Sequence, residues 1–401
     1  VRRICVIGAG PSGLAAAKFL RAENSFSEID VYERRSTPGG LWNHSAETHG
    51  DGFEDRIPST SPHVPLEHPA AGGESSGHYV SPVDDFMASN IPKTLMRYSD
   101  LKFSNDLQIF PSHEEILDCL QTYAEDVRGL IHYNTQVTNV ELLSTSTRDK
   151  SNEMIFHKVY DAVVVASGYY SIPQVPHISG LGQWKQTYPD TVIHSKYYRR
   201  PEPYAGKRIL IVGSGASGQE IATQISKVAA NTYISARSNK PSLDSRITVF
   251  PSILQFDALE WSITFEDGLK LLDLDSIVFC NGYIYAYPFL ESIVPSPITE
   301  NGSGLKGTYH HCFFTPHPSL SFLTLPRGIL YWPESLPSTA EMQKWEEDLL
   351  AATPTGQDFH SLEPPPRDGN HLNFLYDWAI QADKKQGLDM VGLGNCQRIG
   401  V

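Results

Sequence analysis

The 401-residue sequence predicts an α/β protein built of two doubly wound units, one inserted in the other. Three observations carry that expectation. A strand-like run feeds a glycine turn that opens a helix at "RICVIGAGPSGLAAA", residues 3–17, and the pattern returns at "RILIVGSGASGQEIA", residues 208–222. Strands and helices alternate along the chain, the pattern of helices packed on parallel sheets. A proline-punctuated stretch, "YYSIPQVPHISGLGQW", reads as a crossing between units.

The elements follow in order. "SGLAAAKFLRAE" is a run of strong helix formers and "EIDVYERR" the next strand. Residues 44–79, rich in Ser, Pro, Gly and His, read as a long loop that is functional or mobile. "FPSHEEILDCLQTYAED" is an amphipathic helix, with Ser112 and Glu115 as a capping box and Ile116, Leu117, Leu120 and Tyr123 on one face. "YDAVVVASG" is a buried strand ending in a glycine turn. "NTYISARS" and "SIVFCNGYIYAYPFL" are later strands. The tail from about 337 is polar and Pro-rich, with a helical patch at "TAEMQKWEEDLLAA". The expected division is a discontinuous domain of residues 1–172 and 277–401, with residues 173–276 inserted as a second domain.

Composition narrows the function. At 40% hydrophobic and 19% charged residues a sizeable core can form, so disorder is not the default. A net charge of -14 argues against a nucleic-acid partner. The five cysteines form no CxxC, which disfavours a disulfide framework, a zinc site and a dithiol redox centre, and points to a reducing compartment read as the cytoplasm. No apolar run reaches the ~18 residues of a membrane span. The chain begins at Val1 without Met, which leaves room for a removed segment.

The glycine turns carry the chemistry. Gly8 permits a tight turn, Gly10 lets backbone approach a pyrophosphate, and Gly13 lets helix pack on strand. Glu33 lies 20 residues past Gly13, the spacing of an acid that binds a ribose 2′-hydroxyl. That site suits FAD or NAD. The second turn holds Gly213, Gly215 and Gly218, and the equivalent position, read 19 residues past Gly218, is Arg237. A cation there, with Lys240 near in sequence, suits a ribose 2′-phosphate and hence NADP. The chain thus reads as two dinucleotide-binding (Rossmann-like) domains, an NADP domain inserted in an FAD domain. FAD with NADPH is the coherent pair, because a reduced nicotinamide gives hydride to a flavin.

Further segments resemble the flavin-containing monooxygenase family, its fungal branch above all. "PGGLW", Pro38–Trp42, resembles the stretch that lies along the flavin. "SNIPKTLMRYSD" resembles the segment whose asparagine faces flavin and nicotinamide, which makes Asn90 the expected catalytic residue. "YPDTVIHSKYY", Tyr188–Tyr198, resembles the family fingerprint FxGxxxHxxxY/F, and "FCNGYIYAYPFL" its late ATGY segment. The resemblance spans residues 3 to about 325. With the glycine turns it implies cofactor binding by Gly8, Gly10, Pro11, Ser12, Gly13, Glu33, Arg34, Gly40, Leu41, Trp42, Asn90, Val137, Ser167, Gly168 and Tyr170. In and beyond the second unit it implies Gly213, Ser214, Gly215, Ala216, Ser217, Gly218, Arg237, Asn281, Gly282 and Tyr283.

The chain departs from the family at Tyr188 for Phe, Asp190 for Gly, and Cys280-Asn281 for Ala-Thr. Tyr198-Arg199-Arg200-Pro201 stands where Baeyer–Villiger relatives end in Trp-Pro. "LPRGILYWPESLPS" omits a proline turn and helix, which points to residues missing near 329–332. The resemblance implies that NADPH reduces FAD, that oxygen then gives a flavin hydroperoxide, and that a soft nitrogen or sulfur nucleophile takes one oxygen atom. The expected partners are that small molecule, O2 and a second copy of the chain in a homodimer, with no metal. A Baeyer–Villiger reaction, an NADPH oxidase and a flavin scaffold without turnover stay open. Without the resemblance, Asn90 is equally a turn residue before Pro92. His194 reads as holding a loop, and His310-His311 as structural.

Overall fold

The structure, a computed structural model, describes residues 2–46, 61–67, 79–98, 100–142, 156–237, 242, 244–323 and 337–352. Lys240, the stretch around 329–332, most of the 44–79 loop and the end of the tail lie outside the described residues.

The first unit opens with β1 (Arg3–Ile7), α1 (Pro11–Ala22) and β2 (Glu28–Tyr32), then α2 (His113–Ala124), β3 (Ile131–His132), β4 (Ala162–Val165) and β5 (Ile172–Pro173). The second follows with α3 (Leu181–Thr187), β6 (Val192–His194), β7 (Arg208–Val212), α4 (Ala216–Ile225), β8 (Asn231–Ser235) and β9 (Ile247–Phe250). It continues through β10 (Ile253–Asp257), β11 (Ser262–Phe265), β12 (Lys270–Leu272) and β13 (Ser276–Phe279). The chain then returns through β14 (Tyr283–Ile284) to β15 (Thr308–Tyr309), β16 (Phe313–Phe314), β17 (Leu320–Phe322) and α5 (Thr339–Ala352).

Two larger sheets organise these elements. One runs β15-β16-β17-β4-β1-β2-β3 and is parallel from β17 to β3; the other runs β6-β13-β7-β8-β9, all parallel. Buried alternation explains the layers. In β1, Ile4 and Val6 face the core under α1 and α2, while Cys5 and Ile7 face a second core with Tyr285, Tyr287 and Phe289. In β7, Ile209 and Ile211 pack with α4, and Leu210 and Val212 pack with Trp184 of α3 and the small β10-β11-β12 sheet.

The capping box on α2 forms in both directions: Ser112 N–H donates to Glu115 at 2.8 Å, and Glu115 N–H donates to the Ser112 hydroxyl at 3.4 Å. The outgoing and returning chains pair antiparallel at β5 and β14, where the Gln174 N–H donates to the Gly282 carbonyl at 2.8 Å. Ser276–Phe279 is a strand of the second sheet, so the expected boundary at 276/277 falls at its start. His310 and His311 are buried against Trp345 of α5, with ring centroids at 4.5 and 5.5 Å.

Candidate active site

Both glycine turns sit at the carboxyl ends of central parallel strands, where open α/β sheets bind ligands. Their geometries match closely. Gly8 and Gly213 hold φ of +103° and +107°, which an L side chain resists. The Gly8 N–H donates to the Tyr32 carbonyl at 2.8 Å, and that of Gly213 to the Ser235 carbonyl at 2.9 Å. A β-carbon on Gly13 would lie 1.8 Å from the Gly8 oxygen, and one on Gly218 2.1 Å from the Gly213 oxygen. Gly10 and Gly215 are the N-caps of α1 and α4, and no side chain caps either helix. Their first amides therefore face out with the positive end of the helix dipole, as a pyrophosphate requires. The repeat extends to the third strand: Ala166-Ser167-Gly168 lies against Gly8 as Cys280-Asn281-Gly282 lies against Gly213, with Gly168 and Gly282 at φ +71° and +80°.

Around the first turn the predicted residues come together. Gly40 Cα lies 3.5 Å from a β-carbon placed on Gly10, and the Gly39 N–H donates to the Ala9 carbonyl at 2.9 Å. Leu41 and Trp42 follow in a short 3-10 turn, with Trp42 packed on the first core. Glu33 is buried, and its two oxygens accept the Ala9 and Arg35 amides at 2.7 and 2.8 Å. A carboxylate has lone pairs left for a ribose hydroxyl after such bonds. Arg34 is already engaged: its guanidinium stacks on Tyr79 at 4.1 Å and pairs with Glu67 at 3.0 Å. Val137 lies half-buried two residues past Thr135, whose N–H donates to the Glu33 carbonyl at 2.9 Å. These features fit the pyrophosphate and ribose of FAD: a close backbone approach, uncapped amides and a fixed buried acid.

The second turn is open. Ser214, Gly215, Ala216 and Ser217 are exposed, and a β-carbon on Gly215 would meet nothing within 4 Å. The strand register corrects one expectation. Tyr32 and Ser235 hold the same place in their units, so the counterpart of Glu33 is Ala236, not Arg237. Arg237 stands one residue further on, exposed, where Arg34 stands in the first unit. The chemistry survives the correction. The acid is replaced by a neutral Ala236 with a cation beside it, and this fits the 2′-phosphate of NADP.

Asn90 is exposed and makes no hydrogen bond to another described residue. Its turn is held on both sides by neighbours. The Ile91 N–H donates to the Ser89 hydroxyl at 3.0 Å, and the Ser89 N–H donates to the Pro111 carbonyl at 2.8 Å. The segment is strapped between the units. Tyr98 donates to the carbonyl of Pro11 at the first glycine turn at 2.8 Å, and Gln224 on α4 donates to Asp84 at 3.2 Å. Phe86, Ile91 and Leu95, near Asn90 in sequence, are exposed apolar side chains. Tyr170 is exposed, accepts the Tyr169 hydroxyl at 3.1 Å and meets Tyr283 edge-on at 5.3 Å.

The fingerprint stretch joins the two units. His194 Nδ1 accepts the Lys196 N–H at 3.1 Å, and its ring meets Tyr283 edge-on. Burial first, then the Lys196 charge, push its pKa down to about 3, so it stays neutral and offers no acid near neutrality. Buried Lys196 pairs with Glu67 at 3.2 Å and donates to the Ser171 carbonyl at 2.7 Å. Burial alone would raise the Glu67 carboxyl; Lys196 and Arg34 outweigh it and hold it below its ordinary range. Buried Arg199 donates to the Ser45 carbonyl at 2.6 Å and the Ser81 carbonyl at 2.7 Å. Sequence reasoning named neither Glu67 nor Gln224 and gave Lys196 and Arg199 no role. Two signals stood in plain view: cations inside the fingerprint, and an acid in the long loop.

Comparison with known proteins settles the family. The flavin-binding monooxygenase-like family model matches residues 77–250 and 240–313, and an NAD(P)-binding Rossmann-like domain matches residues 6–70. The chain belongs to the flavin-binding monooxygenase-like family. It is 32% identical over 344 residues to the flavin-containing monooxygenase FMO GS-OX1 of Arabidopsis thaliana, covering 81% of this chain and 69% of that one. It is 29% identical to the thiol-specific monooxygenase of Saccharomyces cerevisiae, covering 83% and 74%. In fold it is similar to S-allyl-L-cysteine S-oxygenase from Allium sativum, with a TM-score of 0.73, 24% identity and coverage of 97% and 89%. It is thus a flavin-dependent monooxygenase of the α/β class, with FAD and NADPH as cofactors. No helix among the described residues is long and apolar enough to cross a membrane.

Proposed function

We propose that this monooxygenase transfers oxygen to a soft nucleophile of a small molecule, sulfur ahead of nitrogen, with Asn90 at the reacting centre. One observation carries the reading: the Asn90 segment is tied at one end to the first glycine turn and at the other to the helix of the second. Sulfur is favoured by the thiol-specific relative and by the exposed apolar side chains near Asn90 in sequence, which suit an uncharged thiol or thioether.

When bound, FAD supplies the redox chemistry that takes hydride from NADPH and activates oxygen. The chain's own residues do the rest. The amides at Ser12 and Gly13 and the Glu33 carboxylate hold pyrophosphate and ribose in the first socket. Arg237 reads the 2′-phosphate in the second. Asn90 offers an amide that donates and accepts hydrogen bonds without releasing a proton. Phe86, Ile91 and Leu95 offer exposed apolar surface to an uncharged substrate. The chain divides, on this reading, at the β5–β14 pair, which puts β13 in the NADP domain. The place of action is the cytoplasm, and a homodimer is the expected assembly.

The test is a screen of NADPH oxidation against thiols, thioethers, amines and ketones, with product masses. Sulfur products one oxygen atom heavier are expected, and Asn90→Ala should cut their yield per NADPH at least tenfold. Peroxide as the sole product, or oxygenation of ketones alone, overturns the reading.

A further inference from the structure

Three side chains that no nucleotide motif claims form one hydrogen-bonded chain between the units, and a fourth stands near it. Tyr198, the last residue of the fingerprint, donates from its hydroxyl to Gln224 Oε1 at 2.8 Å, with both side chains buried. Gln224 stands in the last turn of α4 and donates from Nε2 to Asp84 Oδ1 at 3.2 Å. The same carboxylate accepts the Phe86 N–H at 3.0 Å and so shapes the turn that leads to Asn90. One turn earlier on α4, half-buried Glu220 faces Asp84 and the Ala88 N–H. Asp84 is only 3% exposed, so its charge is nearly dry, while Glu220 is half-buried.

We propose that Tyr198, Gln224, Glu220 and Asp84 form the seat that positions the Asn90 segment on α4, and that the seat tightens when Glu220 takes up a proton and its repulsion of Asp84 is relieved. These are positioning residues, acting through the segment they hold. Gln224 suits the place because an amide can accept from a phenol and donate to a carboxylate while staying neutral. Loss of that amide leaves a buried carboxylate short of a donor. The fingerprint tyrosine gains a role in the seat, because its hydroxyl fixes which way the Gln224 amide points. Because α4 is the helix of the second glycine turn, any shift of that turn reaches Asn90 through these contacts. Only this catalytic consequence rests on the reading of Asn90; the seat rests on the contacts.

The proton dependence has a definite sign. Burial raises the Asp84 carboxyl; burial and then the Asp84 charge raise Glu220 to about 7. Arg199 and Asp85 act electrostatically on Asp84, and Glu202 and Tyr204 act with Asp84 on Tyr198. An acid whose pKa is raised in the seated state favours that state at low pH. The seat is therefore tightest toward pH 5 and loosens as pH rises through about 7.

Hydrogen exchange on the full FAD-loaded chain without NADP tests this, from pH 6 to 8.5, corrected for the intrinsic exchange rate. Protection of the 84–91 peptide should fall about tenfold or more over that range, since one pKa unit is a factor of ten. Glu220→Gln should keep the peptide protected and remove its pH dependence. Gln224→Ala should leave it unprotected at both ends while the first-sheet peptides keep their protection. Protection that is independent of pH in the wild-type chain, or unchanged in Gln224→Ala, overturns the seat. If protection changes as stated but product per NADPH does not follow it, the seat stands and the catalytic reading of Asn90 fails.

Discussion

Gly10 and Gly215 hold the same place in their turns, each capping the helix that follows. A β-carbon on Gly10 would touch Gly40 at 3.5 Å, whereas one on Gly215 meets nothing within 4 Å. The first turn is roofed by the Gly39–Trp42 segment, and its acid is fixed by two backbone amides. The second lies open, with a neutral Ala236 and an exposed Arg237 where the first has Glu33 and an engaged Arg34. One backbone motif thus serves two ends. The closed socket suits a dinucleotide kept through turnover, and the open one suits a coenzyme that comes and goes. The difference lies in what covers the turn, since the turns themselves are alike.

The comparison can be broken at several points. Gly13→Ala and Gly218→Ala strike what the units share, a helix pressed on its strand. Each β-carbon would overlap backbone, so each should cost about 3 kcal/mol or more in denaturant unfolding, and Gly13→Ala should also empty the protein of FAD. A loss under about 1 kcal/mol would show that the helices are not so tightly seated. Glu33→Ala strikes the closed socket alone. It strands the Ala9 and Arg35 amides at about 1–3 kcal/mol each, and the purified protein should be colourless while the second unit keeps its NADPH affinity.

Arg237→Ala strikes the open site alone. Loss of a charged hydrogen bond predicts a KM for NADPH raised roughly 10- to 100-fold, with that for NADH unchanged. An equal rise for both would remove Arg237 from phosphate recognition. The smallest effect sharpens the contrast most. Gly215→Ala finds open space, so stability should stay within ~0.5 kcal/mol while NADPH binds several-fold more weakly. A large loss of stability there would mean that the second turn is covered after all.

Much of this was legible in the residues. The two turns, the capping box at Ser112 and Glu115, and the acid at Glu33 each answer a local requirement that few residue types can meet. Arg237 shows where local reading slips. The position was read 19 residues past Gly218, but α4 has 10 residues where α1 has 12, so the residue matching Glu33 comes one earlier, at Ala236. A count along the chain does not see a shorter helix; a strand register does.

By itself the sequence determined two strand–turn–helix units, an acid after one, a cation after the other, and the cofactor pair that follows. Tertiary structure alone decided how they face each other. Lys196 meets Glu67 across 129 residues, Gln224 meets Asp84 across 140, and Arg199 meets Ser45 across 154. Those pairings depend on the path of the whole chain rather than on any backbone preference of the residues involved. A glycine turn is written in sterics that span a few residues; the strap that carries Asn90 between the turns exists only once both sheets have formed.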